Sequence, residues 1–250
     1  MKKLSLEKRM KMYEELNKQF LLPNQYVLMR LDGKSFSSFT KKYFKKPFDD
    51  EFTWLMQSTM EYLVDNISGA VAGYTQSDEI TILLTDKKTK GVEGWFNYRV
   101  DKMCSLAASM ASAYFNINFN EYSNYYKINN ESFYPYPIFD CRVWQVPNEE
   151  EVKNVFLWRQ RDCIRNSVLQ LAQSFYTHKE MLNKNIDELK IMLLKEKDCN
   201  WEELNDSIKY GMFYFPKKKV SNSEKYFYCQ MKDDSLNNEF TRIFNDVYEW

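Results

Sequence analysis

AVAGYTQSDEITILL, residues 70–84, contains two compact apolar runs, Ala70 to Thr75 and Ile80 to Leu84, parted by the polar Gln76-Ser77-Asp78-Glu79. Runs this short, with β-branched and aromatic residues, read as strands, and the polar tip between them makes a hairpin. Upstream, Phe52, Leu55, Met56, Met60 and Leu63 return every three or four residues and predict a helix from Asp49. Asp49, Asp50 and Glu51 suit the positive end of its dipole. Before that helix, YVLMRL at 26–31 predicts a buried strand that stops at Asp32-Gly33. Downstream, Phe96, Val100, Met103, Ala107, Met110 and Tyr114 mark one face of a helix over Trp95 to Phe115. The turn-rich Tyr134-Pro135-Tyr136-Pro137 then leads into a fourth strand, Ile138 to Val143. The order β-α-β-β-α-β predicts an α+β fold with a ferredoxin-like antiparallel sheet.

The flanks add helices. Leu6, Met10, Tyr13 and Leu16 give an amphipathic helix within Leu4 to Phe20, with Pro23 as its stop. A long helix over Glu149 to Phe175 turns Val152, Phe156, Ile164, Val168 and Leu171 or Ala172 inward. Beyond His178 come a helix over Ile186 to Lys195 and an aromatic strand over Gly211 to Phe215, then a polar tail after Lys217-Lys218-Lys219. We expect a core of residues 1–146 with its N-terminal helix, and a helical and mixed portion, 147–250, packed on it.

Thirty-five basic residues balance thirty-five acidic ones, so no global field draws in a polyanion, and a nucleic-acid surface must come from local clusters. The five cysteines, Cys104, Cys141, Cys163, Cys199 and Cys229, are odd in number and form no CxxC pair, which predicts neither a disulfide framework nor a zinc site. The basic N-terminus lacks an apolar core, and no stretch reaches the roughly 18 apolar residues of a membrane span. The expectation is a cytoplasmic protein without membrane contact.

In such a sheet the first and third strands are antiparallel neighbours about 4.8 Å apart, so the end of one meets the start of the other. Asp32 lies just past the first strand, and Asp78 and Glu79 just before the third. Each motif alone is an ordinary turn. Together they bring acids to one sheet edge, where crowded carboxylates repel unless a divalent cation neutralises them. Oxygen ligands beside phosphate substrates favour Mg²⁺, and two such ions can serve an in-line displacement at phosphorus. Gly33, lacking a Cβ, can bring its carbonyl close to a metal or phosphate.

RLDGKSF at 30–36, KKP at 45–47, YTQSDE at 74–79, FDCRV at 139–143 and FLWRQRDCIRNS at 156–167 together resemble the tRNA-His guanylyltransferase family. The resemblance implies a polymerase-palm-type sheet, two Mg²⁺ ions, and 3′-to-5′ addition of nucleotides to a tRNA activated by ATP or GTP. It implies Asp32, the Gly33 carbonyl and Asp78 as metal ligands, with Glu79 beside them. Nucleotide and triphosphate contacts carry over to Lys34, Ser35, Phe36, Lys46, Ser77, Arg99, Lys102 and Asn166. Arg142, Arg159, Arg165, His178, Lys179 and Lys209 are candidate RNA contacts, and a homotetramer is implied.

One motif departs from the family pattern. Where the eukaryotic enzymes read DCHINN, this chain reads Asp162-Cys163-Ile164-Arg165-Asn166-Ser167, and Ile164 can neither titrate nor hydrogen-bond. That variant, with THKE at 177–180, resembles the bacterial and phage-type branch and shifts the expectation from strict tRNA-His guanylylation to repair of truncated tRNA 5′ ends. A nucleotide cyclase or 5′-to-3′ polymerase shares the palm and acid pair, and an RNA-binding module without catalysis shares the topology.

Overall fold

The computed structural model describes residues 4–86, 94–125, 136–216, 226–228 and 234–245. Tyr134, Pro135, Lys217 to Lys219 and Cys229 lie outside them. The elements in chain order are α1 (Leu6–Glu15), β1 (Tyr26–Gly33), α2 (Phe36–Tyr43), α3 (Asp50–Asn66), β2 (Ala70–Gln76), β3 (Glu79–Leu84), α4 (Val100–Tyr125), β4 (Phe139–Val146), α5 (Glu149–Gln173), α6 (His178–Met181), α7 (Ile186–Lys197), α8 (Asp206–Tyr210), β5 (Met212–Phe215), β6 (Tyr226–Tyr228) and α9 (Asp234–Asn245). The sheet runs β4-β1-β3-β2-β5-β6, and every pairing in it is antiparallel. Its first four strands are the ferredoxin-like set in the expected order, and β5 and β6 continue the same sheet.

Period-two alternation divides β1 between two layers. Val27, Met29 and Leu31 enter a core with α2, α3 and α4, built on Phe36, Leu55, Met60, Phe115 and Phe119. Tyr26 and Leu28 point the other way, into a core with α5 and α9 that holds Phe156, Phe213 and Phe240. Arg30 and Asp32 follow on that second face. A third cluster, with Val168, Leu171, Leu189, Leu193 and Trp201, binds the C-terminal half of α5 to α7.

Several boundaries differ from expectation for local reasons. Asp32 and Gly33 lie inside β1, because Asp32 pairs with both Glu79 and Asp140. Gln76 and Glu79 likewise pair with each other, which shrinks the four-residue tip to Ser77 and Asp78, with Ser77 at φ 49°. The first helix stops at Glu15, well before Pro23, because Gln19 and Leu21 bond Val100 and Tyr98 and Phe20 bridges Arg99. None of the α1 residues is buried.

Trp95 to Tyr98 is a tight turn with Phe96, Asn97 and Tyr98 at positive φ, so α4 begins only at Val100. Of the expected face Met103 and Ala107 are buried, and Ala111, Phe115 and Phe119 complete the buried side, while Phe96 is exposed and Tyr114 half-buried. Asp49 is the N-cap of α3, accepting from Glu51 N and Phe52 N at 3.0 and 3.1 Å. The short α2 was not expected from sequence. Cys104, Cys141, Cys163 and Cys199 are all free thiols, and among the described residues no helix is long and apolar enough to cross a membrane.

Candidate active site

The acid pair forms where β1 ends and the β2–β3 hairpin turns. Gly33 N donates to the Asp78 carbonyl at 3.0 Å, and Asp32 stands in register with Glu79. Asp32 and Asp78 line one cavity of about 380 Å³ together with Ser77, Glu79, Arg159 and Asn166. Burial, and then the charge of Asp32, push the Asp78 carboxyl above its ordinary value, while the Ser77 hydroxyl, donating at 3.2 Å, pulls the other way. Such a pair is under electrostatic stress without a cation.

Glu79 has a different employment. Its carboxylate accepts a two-pronged bond from Arg159, Nε to Oε1 at 2.6 Å and Nη2 to Oε2 at 2.7 Å, and the two side chains are 7% and 8% exposed. Arg159 Nη2 also donates to Asp162 at 2.8 Å, and Asn166 donates to the same Asp162 oxygen at 3.2 Å. Burial raises the Glu79 carboxyl while Arg159 draws it back down. A bidentate guanidinium leaves this carboxylate little freedom to move to a metal.

A larger cavity, about 610 Å³, adjoins the first and shares Gln76, Ser77, Asp78 and Asn166 with it. Its walls include Thr40, Lys46, Asp49, Cys163 and Ser207. Lys46 Nζ donates to Thr40 Oγ1 at 2.6 Å, and burial lowers its ammonium pKa against the opposing charges of Asp78 and Asp49. The neighbouring loop is fastened by Asp49, whose second oxygen accepts from Lys45 N at 2.8 Å. Burial pushes the Cys163 thiol up to about 12, so it stays protonated and is no nucleophile at neutral pH.

Of the residues expected at the site, the structure gathers Asp32, Asp78, Glu79, Ser77, Lys46, Asn166 and Arg159 around these cavities. Phe36 reaches the wall of the larger one, but it is 1% exposed and packs on Phe39, Phe52, Phe115 and Phe139, so its side chain serves the core and not a nucleotide. Lys34 and Ser35 are exposed at the entrance of α2, whose first turn has no side-chain cap.

Others lie elsewhere. Arg99 and Lys102 line neither cavity. The acid end of the sheet meets α4 at Ser112, where Phe139 N donates to the hydroxyl at 3.0 Å, about 18 Å along the helix from Val100. Arg99 forks onto Asp101 at 2.8 and 2.7 Å. Lys209, expected at an RNA surface, is buried, with Nζ on the Glu202 carbonyl at 2.7 Å and Asp206 at 2.9 Å, so its charge is spent inside the chain. His178 and Lys179 are exposed in α6 and line neither cavity, and Arg165 is exposed 4.0 Å from Asp162. Arg142 is exposed on β4.

Sequence reading missed Arg30, Asp162, Gln76 and the role of Trp158 as lining residues. Alternation on β1 already placed Arg30 on the face of Asp32, which was the available signal.

Comparison with known proteins agrees with this site. The family described as tRNAHis guanylyltransferase matches residues 7–147. An uncharacterized protein of Acanthamoeba polyphaga mimivirus is 32% identical, over 82% of this chain and 74% of its own length. The tRNA(His) guanylyltransferase of Debaryomyces hansenii is 29% identical, over 80% of this chain and 76% of its own length. A solved bacterial tRNA(His) guanylyltransferase-like protein in complex with ATP superposes with a TM-score of 0.83 at 33% identity, covering 98% of this chain and 100% of the other. The palm-like sheet, the acids at its edge and these likenesses agree, and the chain belongs to the tRNAHis guanylyltransferase family of nucleotidyltransferases.

Proposed function

We propose that this protein is a metal-dependent nucleotidyltransferase that adds nucleotides in the 3′-to-5′ direction to the 5′ end of a tRNA, after ATP or GTP has activated the 5′ phosphate. The observation that carries this reading is the position of Asp78, on the turn shared by two cavities and beside Asp32. A nucleoside triphosphate in the larger cavity and an RNA end in the smaller one would meet there.

The donor set fits Mg²⁺. Two carboxylates and a backbone carbonyl at Gly33 are hard oxygen ligands, and burial of Asp78 near Asp32 creates a charge deficit that a divalent cation relieves. Mg²⁺ held by Asp32, Asp78 and the Gly33 carbonyl would lower the pKa of the attacking hydroxyl and offer positive charge to the leaving oxygens.

The chain's own groups orient the reactants. Lys46, on the rim beside Asp78, offers an ammonium to triphosphate, and the uncapped first turn of α2 offers backbone N–H groups to the same anion. Asn166, held by Asp162, faces both cavities. Arg159 and Asp162 keep the hairpin and α5 in one geometry. The ATP complex of the similar bacterial protein supports ATP as an activating nucleotide here.

Repair of shortened tRNA ends is favoured over strict tRNA-His guanylylation. The position occupied by histidine in the eukaryotic motif is Ile164, which packs against the third cluster, and the sole histidine, His178, lies off both cavities. Incubation with Mg²⁺, labelled ATP or GTP and a tRNA lacking its first nucleotide tests this, with a product lengthened at its 5′ end expected. Asp32→Ala and Asp78→Ala should each cut the rate by at least about 10²-fold while melting cooperatively. Full activity in either folded variant overturns the assignment, a cyclic nucleotide product points to a cyclase, and binding without turnover points to an RNA-binding module.

A further inference from the structure

We infer that the open face of β1 and β4 beside the acid pair seats the 5′-terminal nucleotides of the RNA, with a base stacked on Trp158 and phosphates on Arg30 and Arg142. This rests on the polynucleotide-acceptor reading above and gives that acceptor a place.

The face follows from strand register. Arg30 pairs with Arg142 and Asp32 with Asp140, and alternation puts all four on the side opposite the large aromatic core. Farther along the same face Tyr26, Leu28 and Val146 are buried under α5 and α9. At the acid end the cover gives way: the Asp140 and Arg142 side chains are 60% and 56% exposed. The strip of sheet that leads to Asp32 therefore carries Arg30, 15% exposed, and the open Arg142, whose Nη2 lies 3.7 Å from Asp140.

Trp158 stands over this strip. It is 54% exposed although Arg159 and Gln160, its neighbours on α5, are buried. Its ring centroid lies 5.6 Å from the Arg30 guanidinium and 4.5 Å from that of Arg159, so two cations border the ring while half its surface remains in solvent. Arg30 has spare capacity. Its Nε is buried without a hydrogen-bond partner among the described residues, and Glu79 Oε2 is 4.0 Å away. Trp158, Arg30, Asp32 and Asp78 line the same 380 Å³ cavity. A half-exposed indole beside a guanidinium whose Nε makes no hydrogen bond is a combination that suits a base and its phosphate, and a single-stranded end supplies both.

The test uses the full-length protein in EDTA, so that binding is read without turnover. A fluorescein-labelled acceptor-stem RNA hairpin with a 5′ monophosphate is titrated by anisotropy, and ATP affinity is measured in parallel. Trp158→Ala should weaken RNA binding about 5- to 150-fold with ATP affinity unchanged, while Trp158→Phe stays within a few-fold of wild type. Trp54→Ala, at another exposed tryptophan, should change neither. Arg142→Ala should weaken the phosphorylated hairpin more than one lacking the 5′ phosphate. Wild-type RNA affinity in Trp158→Ala overturns the seat, as does a loss confined to ATP, which would assign the ring to the nucleotide base. A protein that binds RNA through Trp158 but never extends it would keep the seat and lose the proposed function. One that extends RNA regardless of Trp158 would do the reverse.

Discussion

At the residue scale, Asp78, the proposed metal ligand, weighs on the metal-free fold. Its carboxyl pKa is raised by burial and by Asp32, so between its ordinary value and the raised one the folded state binds more protons than the unfolded chain. Stability from this group falls as pH climbs through that window, and at neutral pH the ionised side chain is a burden. Asp78→Asn should therefore melt higher than wild type in EDTA at pH 7, and Mg²⁺ should raise the melting temperature of wild type only. In EDTA the melting temperature of wild type should fall as pH rises through the raised Asp78 value, and that fall should be absent in Asp78→Asn. A lower melting temperature for Asp78→Asn in EDTA would sink this account. Gly33 teaches a related lesson. The sequence suggested a close approach of its carbonyl to a metal or phosphate, whereas the packing shows that a Cβ there would run into the Phe36 ring. No spacing rule could show that Phe36 fills this space.

At the element scale, the decisive joint is between α5 and the β2–β3 hairpin. Hydrophobic periodicity gave α5 its extent and turned Val152, Phe156 and Val168 inward, and these are buried. It could not show that Arg159 and Gln160 are buried too, because a polar residue inside is tolerated only when a partner arrives from another element. Glu79 is that partner for Arg159 and the Tyr210 carbonyl, at 3.0 Å, for Gln160. Arg159→Met should destabilise the protein by about 3–5 kcal/mol in urea unfolding, since it strands a buried carboxylate. Adding Glu79→Gln to it should recover much of the loss. If the double variant is as unstable as the sum of the singles, the pair is not coupled as drawn. The early end of α1 has the same origin, for its continuation is diverted by pairing with the segment around Arg99.

At the scale of the whole molecule, α1 and its C-cap leave Leu6, Met10, Tyr13 and Leu16 between 47% and 76% exposed, an apolar stripe open to another copy of the chain, as the homotetramer implied by the family resemblance would need. Light scattering should give four times the 30.2 kDa chain mass, and charged substitutions at Leu6 and Tyr13 should lower it. A monomeric wild type would refute the assembly. The sequence by itself determined the order of the first four strands, their crossover helices and the meeting of Asp32 with Asp78, because strand period and turn chemistry are local properties read along the chain. Only the tertiary structure decided that Glu79 belongs to Arg159, that Lys209 is buried, that Arg99 and Lys102 stand far from the acids, and that Arg30 lies beneath Trp158. Those are partnerships between groups distant in sequence, fixed when the layers pack, and no window of residues carries them.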